Sequence, residues 1–414
     1  MNLLTTSVLN GVAVLIKTLT LFVLNKILAV YLGPTGYAAL GQFQNFIQMV
    51  TTFAGSAINT AVIKYTAEYH EDQNKQRAIW KTAGSLVFLF SLIFAILILI
   101  FQNQLSLYIF HTLEYQNVFV WFAVFLIFFN FNTLFLAILN GKKEILKLVI
   151  ANISGSLFAL IITSILAIKL HLYGALIALS IYQSIAFIAT LFLCCRADWF
   201  KFSSLFGKID FEITKKFSSF VWMALVSAIC VPLSQMLIRA YLSQEFSVAY
   251  AGYWEAMIRL STVYLMLVTT ILGVYYLPRL SELKILEEIK KEVYLGYKFL
   301  FPMAVAGGII VFVLRDWIIN VLFSPSFAPM QSLFFWQMMG DALKIGSWIL
   351  GYLMLSKAMT KLYISTEIIF TLSLLILTYV CTQVFGFEGV SIAYLVNYGM
   401  YWIVISLFIF KPLE

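Results

Sequence analysis

The sequence predicts an all-α integral membrane fold of twelve transmembrane helices in two six-helix lobes, and three observations carry that prediction. Composition is the first: 62% of residues are hydrophobic, 17% aromatic and only 11% charged, with a mean hydropathy of +0.94. Such a chain is dissolved in lipid, since soluble domains carry about twice that charge. The second is the succession of apolar runs, each close to the roughly 20 residues that cross about 30 Å of hydrocarbon. The third is the placement of Lys and Arg, which gather in alternate connections.

The runs fall, in order, near residues 7–32, 38–63, 82–101, 118–139, 148–168 and 174–195, then near 217–242, 251–277, 294–314, 332–355, 362–384 and 389–410. A charged connector, residues 196–216, separates a first lobe, 1–195, from a second, 217–414. The segment Met1 to Asn10 has no positive leader and Lys17 interrupts the apolar run behind it, so we read it as the start of a retained span. Twenty Lys or Arg residues lie in, or at the edges of, the connections after even-numbered spans and beyond the last one, against only Lys169 and Arg315 in the opposite connections. Positive loops resist translocation, so both termini are expected to be cytoplasmic. The net charge of +8 is accounted for by topology and gives no support to nucleic-acid binding.

The two halves repeat. Tyr31-Leu32 recurs as Tyr241-Leu242, Lys142 as Lys357, Lys147-Leu148 as Lys361-Leu362, and Gly174-Ala175-Leu176-Ile177-Ala178 as Gly389-Val390-Ser391-Ile392-Ala393, at offsets of 210, 215, 214 and 215 residues. Six spans separate the copies, so both halves enter the membrane in the same direction, as a parallel repeat.

An ionisable side chain inside a span costs at least about 2.5–3.5 kcal/mol on insertion scales and marks a functional candidate. The spans hold Lys17, Lys26, Arg239, Arg259 and Lys344, with Glu255, Asp341 and Glu367. Mostly polar residues recur near three- and four-residue steps beside them: Gln42, Asn45, Met49, Thr52, Ser56 and Asn59 in span two, Gly252, Glu255, Arg259 and Thr262 in span eight, Gln337, Asp341, Lys344 and Trp348 in span ten, and Tyr363, Glu367, Thr371 and Thr378 in span eleven. In span seven Arg239 follows Pro232 and Gln235. Stripes on five helices imply a wet central cavity.

Second roles are open to several of these residues. Glu255 with Arg259, and Asp341 with Lys344, sit at helical pair spacing and are read either as mutually neutralising packing elements or as cavity groups. Lys26, near the end of its span, is read as a cavity cation or as a snorkelling one, and Lys64 as a cavity group or an ordinary cytoplasmic anchor. Lys17 and Lys26 point to opposite faces of a straight helix, and Lys17 is the better cavity candidate. The first half offers no acid inside its spans to pair with Arg239 and Arg259, and the surplus of cations suits an anionic cargo better than an organic cation. Tyr253, Trp254, Trp336, Trp348 and Tyr352 could stack on sugar rings, although packing is the commoner role of such residues.

Catalytic machinery is not visible. Gly141-Lys142 lacks the glycine of a phosphate loop five positions earlier, where Leu136 stands. His70, His111 and His171 have neither metal nor triad spacing, Cys194, Cys195, Cys230 and Cys381 read as small apolar residues, and no cofactor or metal is implied. A membrane glycan polymerase would call for a long outer loop, and the longest here run to about 16 residues.

On Lys26-Ile27-Leu28-Ala29-Val30 leading to Gly33-Pro34-Thr35-Gly36, on Lys64-Tyr65-Thr66-Ala67-Glu68-Tyr69-His70, and on Trp336 through Gly346 followed by Gly351-Tyr352 and Lys357-Ala358, the chain resembles the Wzx-type polysaccharide flippases of the multidrug/oligosaccharidyl-lipid/polysaccharide (MOP) exporter superfamily. The resemblance runs essentially end to end and covers both the O-antigen and the enterobacterial common-antigen types. It implies a MATE/MOP-like pair of lobes around a cation-lined cavity in a bacterial inner membrane, and a cargo of undecaprenyl-pyrophosphate-linked oligosaccharide moved from the cytoplasmic to the periplasmic leaflet. Lys17, Arg239, Arg259 and Lys344 would bind the pyrophosphate, with Lys26, Lys64, Asn45, Asn59 and Gln337 as further cavity groups. Glu255, Asp341 and Glu367 are the candidates for coupling to an ion gradient, Glu367 first among them. A glycan polymerase and a chain-length regulator are the implied protein partners. A cation or drug antiporter of the same superfamily is the alternative.

Overall fold

The computed structural model describes residues 3–357 and 359–410; Met1, Asn2, Ala358 and residues 411–414, with Lys411, lie outside the described residues. Helices account for almost all of it, and no strand occurs among the described residues. In chain order they are α1 (Leu3–Phe53), α2 (Asn59–Glu68), α3 (Gln73–Phe110), α4 (Gln116–Gly141), α5 (Ile145–Cys195), α6 (Phe211–Glu245), α7 (Val248–Tyr264), α8 (Met266–Ile271), α9 (Leu277–Glu282), α10 (Leu286–Val313), α11 (Arg315–Leu322), α12 (Phe334–Ser356), α13 (Thr360–Phe385) and α14 (Gly389–Phe408). Seven described segments are long and apolar enough to cross a membrane. Along α3 the large apolar side chains Phe88, Leu92, Ile96 and Ile100 are exposed, which only a lipid solvent makes inexpensive.

Two 51-residue helices are each broken once. In α1 the break is Gly33 (φ 63°, ψ −175°), between the runs 7–32 and 38–63. In α5 it is His171 (φ 48°, ψ −130°), between 148–168 and 174–195. A left-handed residue interrupts the hydrogen-bond ladder, and glycine takes that conformation without steric cost where histidine does not.

The run 38–63 is not one helix, which corrects the expectation of an unbroken polar stripe. After α1 ends at Phe53 the chain turns through Gly55 (φ 144°) and a 3₁₀ turn, Ser56–Ile58, before α2 begins. The carbonyl of Ala54 leaves the ladder and accepts hydrogen bonds from Ser91 Oγ (3.0 Å) and Asn130 Nδ2 (3.2 Å). The residues beyond the turn, Ser56 and Asn59, are therefore rotated off the line drawn by Gln42, Asn45, Met49 and Thr52. Run 251–277 is likewise divided, into α7, α8, a π-helical turn Leu272–Tyr276 and α9.

The chain forms two compact units, one of residues 1–32 and 39–232, the other of residues 33–38 and 233–414. In the first, Trp80, Leu134, Phe135, Ile138 and Phe217 pack into a buried core. In the second, Leu272, Tyr276, Ile345, Ile349, Leu353 and Ile405 do the same. Because lipid tails are as apolar as these side chains, close van der Waals fit rather than water exclusion holds such helices together.

The repeat read from the sequence recurs in local geometry. His171 and Gly386, 215 positions apart, both take positive φ (48° and 62°). Gly174 and Gly389, at the same spacing, each press against the backbone carbonyl eight residues earlier: a Cβ would stand 2.0 Å from the oxygen of Leu166 and 2.3 Å from that of Cys381. Lys142 and Lys357 each close the C-terminus of a helix, α4 and α12, where a cation is favoured by the helix dipole. Lys142 Nζ donates to Gln76 Oε1 (3.1 Å), and Gln76 in turn donates to the carbonyl of Thr66 (2.7 Å); Lys357 Nζ donates directly to the carbonyl of Leu283. The same cap thus ties each unit's helix end to the chain leaving its second run.

The close approach gives a test. Gly389→Ala should lower the apparent melting temperature of the purified protein by at least about 2 °C, because a methyl group cannot fit beside a rigid carbonyl. Alanine at a half-buried but uncrowded glycine, Gly351, should leave it unchanged; equal effects at both positions would contradict the packing described.

Candidate functional site

In the second unit the sequence places charge and hydroxyl groups at four-residue steps, which helices turn to one side. Beyond Pro232, α6 presents Gln235 and then Arg239; α7 presents Glu255 and then Arg259. Arg239 Nη1 lies 2.7 Å from Glu255 Oε2 and Arg259 Nε 2.7 Å from Glu255 Oε1, with side chains only 2%, 8% and 18% exposed. One carboxylate is thus shared by two guanidiniums, leaving a formal charge of +1 in a buried place. The Glu255–Arg259 pair offered by helical spacing forms, and the same acid also takes Arg239, which spacing along one helix does not show. Beside them Trp254 Nε1 donates to Gln235 Oε1 at 3.0 Å.

A second cluster forms on α12. Asp341 is fully buried and accepts hydrogen bonds from Tyr264 (2.9 Å), Tyr394 (2.9 Å) and Gln337 Nε2 (3.3 Å). Gln337 also donates to Ser261 Oγ at 3.3 Å, while its own Oε1 is buried without a hydrogen-bond partner. Tyr394 reaches Asp341 because Gly340 has no side chain; a Cβ there would stand 2.6 Å from the tyrosine ring. No ion pair joins Asp341 to Lys344 among the described residues, so the direct neutralisation open to that pair is replaced by hydroxyls. Lys344 Nζ instead faces three rings, 4.8 Å from the centre of Trp348 and 5.5 Å from those of Tyr394 and Tyr398. A desolvated ammonium held this way gains about 2 kcal/mol. Trp254 and Tyr394, rings 6.2 Å apart at 74°, connect the two clusters. Half-buried Glu367, on α13, acts electrostatically on Tyr398 and Tyr401.

The candidates of the first unit sit in different local settings. Lys17 is exposed on α1 and Lys26 half-buried. Asn45 donates to the carbonyl of Pro232 at 3.3 Å, and Asn59 Oδ1 is buried without a hydrogen-bond partner. Lys64 is exposed, its ammonium 5.2 Å from the ring of Tyr65 and 5.1 Å from that of Phe220. Among the described residues no group of three or more His, Cys, Asp or Glu could hold a metal ion.

Sequence reasoning missed Tyr264, Tyr394 and Tyr398. The signal lay in α14, where Tyr394, Tyr398 and Tyr401 recur at helical spacing inside an apolar run. A hydroxyl there needs a partner, and a buried carboxylate is the strongest acceptor available.

The helical arrangement is a fold shared with solved transporters. It superposes with a TM-score of 0.76 on an inward-facing multidrug resistance MATE family transporter of the MOP superfamily, over 95% of this chain and 94% of that one at 14% identity. Against a MATE transporter from Vibrio cholerae the score is 0.74, over 99% and 98% at 16% identity. The chain belongs to the polysaccharide biosynthesis protein family, whose pattern matches residues 3–284. It is 28% identical over 403 residues, 97% of each chain, to a protein of Escherichia coli strain K12 named lipid III flippase.

Glu255→Gln should be more damaging than loss of either arginine. Removing the shared charge leaves two buried guanidiniums face to face, a destabilisation of about 3–5 kcal/mol, read as a fall in apparent melting temperature and in the yield of monodisperse protein. Arg259→Gln, which keeps Arg239 paired, should fall less; the reverse order would contradict the sharing.

Proposed function

We propose that this protein is a flippase that carries an undecaprenyl-pyrophosphate-linked oligosaccharide, an O-antigen or common-antigen repeat unit, from the cytoplasmic to the periplasmic leaflet of a bacterial inner membrane. The observation that carries the reading is the pair of buried clusters in the second unit, three cations against two carboxylates, in a chain that aligns over 97% of its length with a named lipid III flippase. Pyrophosphate is a compact, multiply charged anion suited to Arg and Lys. Trp348, Tyr394 and Tyr398 around Lys344 offer ring faces to a sugar. The chain is a transporter and not an enzyme, in keeping with the names of its relatives.

The finer parts of this reading are also ours. The protein has twelve spans in two six-helix lobes, 1–195 and 217–414, joined by the connector 196–216, and both termini are cytoplasmic. Arg239, Arg259 and Lys344 engage the pyrophosphate, with Lys17, Lys26, Lys64, Asn45, Asn59 and Gln337 as further polar groups of the cavity. Alternating access is driven by an ion gradient or the membrane potential through Glu255, Asp341 or Glu367. Both oxygens of Glu255 are already occupied by arginines, whereas Asp341 is held only by neutral donors, which favours Asp341 or Glu367 for coupling. A glycan polymerase and a chain-length regulator take up the product.

A drug or cation antiporter is the second reading, favoured by the multidrug transporters that share the fold. Equilibrium binding to the purified protein separates the two. Undecaprenyl-pyrophosphate oligosaccharide should bind in a salt-sensitive manner, Lys344→Met should weaken it by about tenfold, the scale of one lost charge contact, and cationic dyes should not compete. Tight dye binding displaced by protons, with no binding of the lipid, would favour the antiporter.

A further inference from the structure

Residues 33–38 are the part of the first 232 residues that clusters with the second unit. Up to Leu32 and again from Ala39 the chain belongs to the first. The segment leaves the preceding helix through the left-handed Gly33, and Pro34 adds no amide hydrogen that would have to be satisfied. The carbonyl of Pro34 then lies directly on α7 at Gly252, where a Cβ would stand only 1.8 Å from the oxygen. Tyr37 is completely buried. Its ring meets Phe327 edge-on at 5.2 Å and Phe323 at 6.2 Å, and the guanidinium of Arg259 lies 5.5 Å from its centre. Thr35 is exposed, whereas Gly36, Tyr37 and Ala38 are buried, so the segment is anchored at two points with a solvent-facing tip between them.

Gly252, Glu255 and Arg259 stand three and then four positions apart and share one face of α7. One helix face therefore holds both the segment and the Arg239–Glu255–Arg259 cluster. Arg259 belongs to both, with its Nε on Glu255 and its plane near Tyr37, and it is the most exposed of the three charged side chains. An anion that draws this guanidinium away takes one contact from the anchor at Tyr37.

We propose that residues 33–38 form a releasable strap, held on the second unit by the Gly252 contact and by Arg259 against Tyr37, and that a phosphate-type anion engaging Arg259 loosens it. The choice of anion rests on the flippase reading; the strap itself does not.

The test follows Ala38, which is 4% exposed. In full-length protein with its native cysteines replaced, Ala38→Cys should react slowly with a hydrophilic maleimide in detergent solution. Gly252→Ala and Arg259→Gln should each speed the reaction by about tenfold, on the scale of losing one desolvated contact. Inorganic pyrophosphate should speed it in the parent and not further in Arg259→Gln. A second reporter, Ala393→Cys, completely buried in α14, should stay slow throughout, separating strap release from general unfolding. If Gly252→Ala does not fold, the response of the parent to pyrophosphate and the rate in Arg259→Gln decide the matter. A rate at Ala38→Cys that neither Arg259→Gln nor pyrophosphate changes overturns the proposal, even if the protein flips lipid. The full pattern in a protein that moves no lipid would uphold the strap and remove the flippase reading.

Discussion

Sharing one carboxylate between two buried guanidiniums constrains much of the second unit. Taking a charge out of water costs several kcal/mol even after relaxation, so Arg239, Glu255 and Arg259 are tolerated only in a geometry that satisfies them together. That requirement fixes the rotation of α6 beyond Pro232 and of α7 about their axes. It also fixes which face of α7 remains for Gly252 and the segment lying on it. The account is electrostatic before it is steric: the arginines bring the helices into register, and small residues such as Gly252 and Gly340 let neighbouring groups close in.

Asp341 follows the same logic by other means. A second Arg–Glu pair would have cancelled its charge; two tyrosines and a glutamine solvate it instead, and Lys344 is left facing aromatic rings rather than an acid. A buried acid and a buried amine, Asp341 and Lys344, thus sit in one packed network with no ion pair between them among the described residues. For a carrier that must bind a polyanion and release it, as we propose, a cation already held by ring faces needs little rearrangement to accept a phosphate oxygen.

The sequence announced the helical class and the positions of most apolar runs, because lipid leaves so few ways to satisfy a backbone. The repeat was legible too: the offset of 215 found in Gly174 and Gly389 recurs in the positive φ of His171 and Gly386 and in carbonyl contacts that no pattern of letters displays. What it did not reveal was local. The turn at Gly55 that ends the polar stripe of span two depends on Ser91 and Asn130, two side chains remote in sequence that capture one carbonyl. The partner of Arg239 was visible as Glu255, yet helical spacing pointed that acid only to Arg259. Tyr264 and Tyr394 are ordinary membrane tyrosines until Asp341 is seen between them. Spacing along one helix is readable from sequence; which faces of different helices meet is not.

The central claim is that this chain moves a lipid-linked glycan between leaflets. Its most direct test is sidedness: purified protein in liposomes carrying fluorescent undecaprenyl-pyrophosphate oligosaccharide, with the fraction open to an external glycan-cleaving enzyme followed over time, beside an Arg239→Ala, Arg259→Ala double variant. The account predicts that the inner-leaflet pool becomes cleavable with the native protein and stays protected with the variant. A pool that stays protected with the native protein under every imposed ion gradient and membrane potential would contradict it.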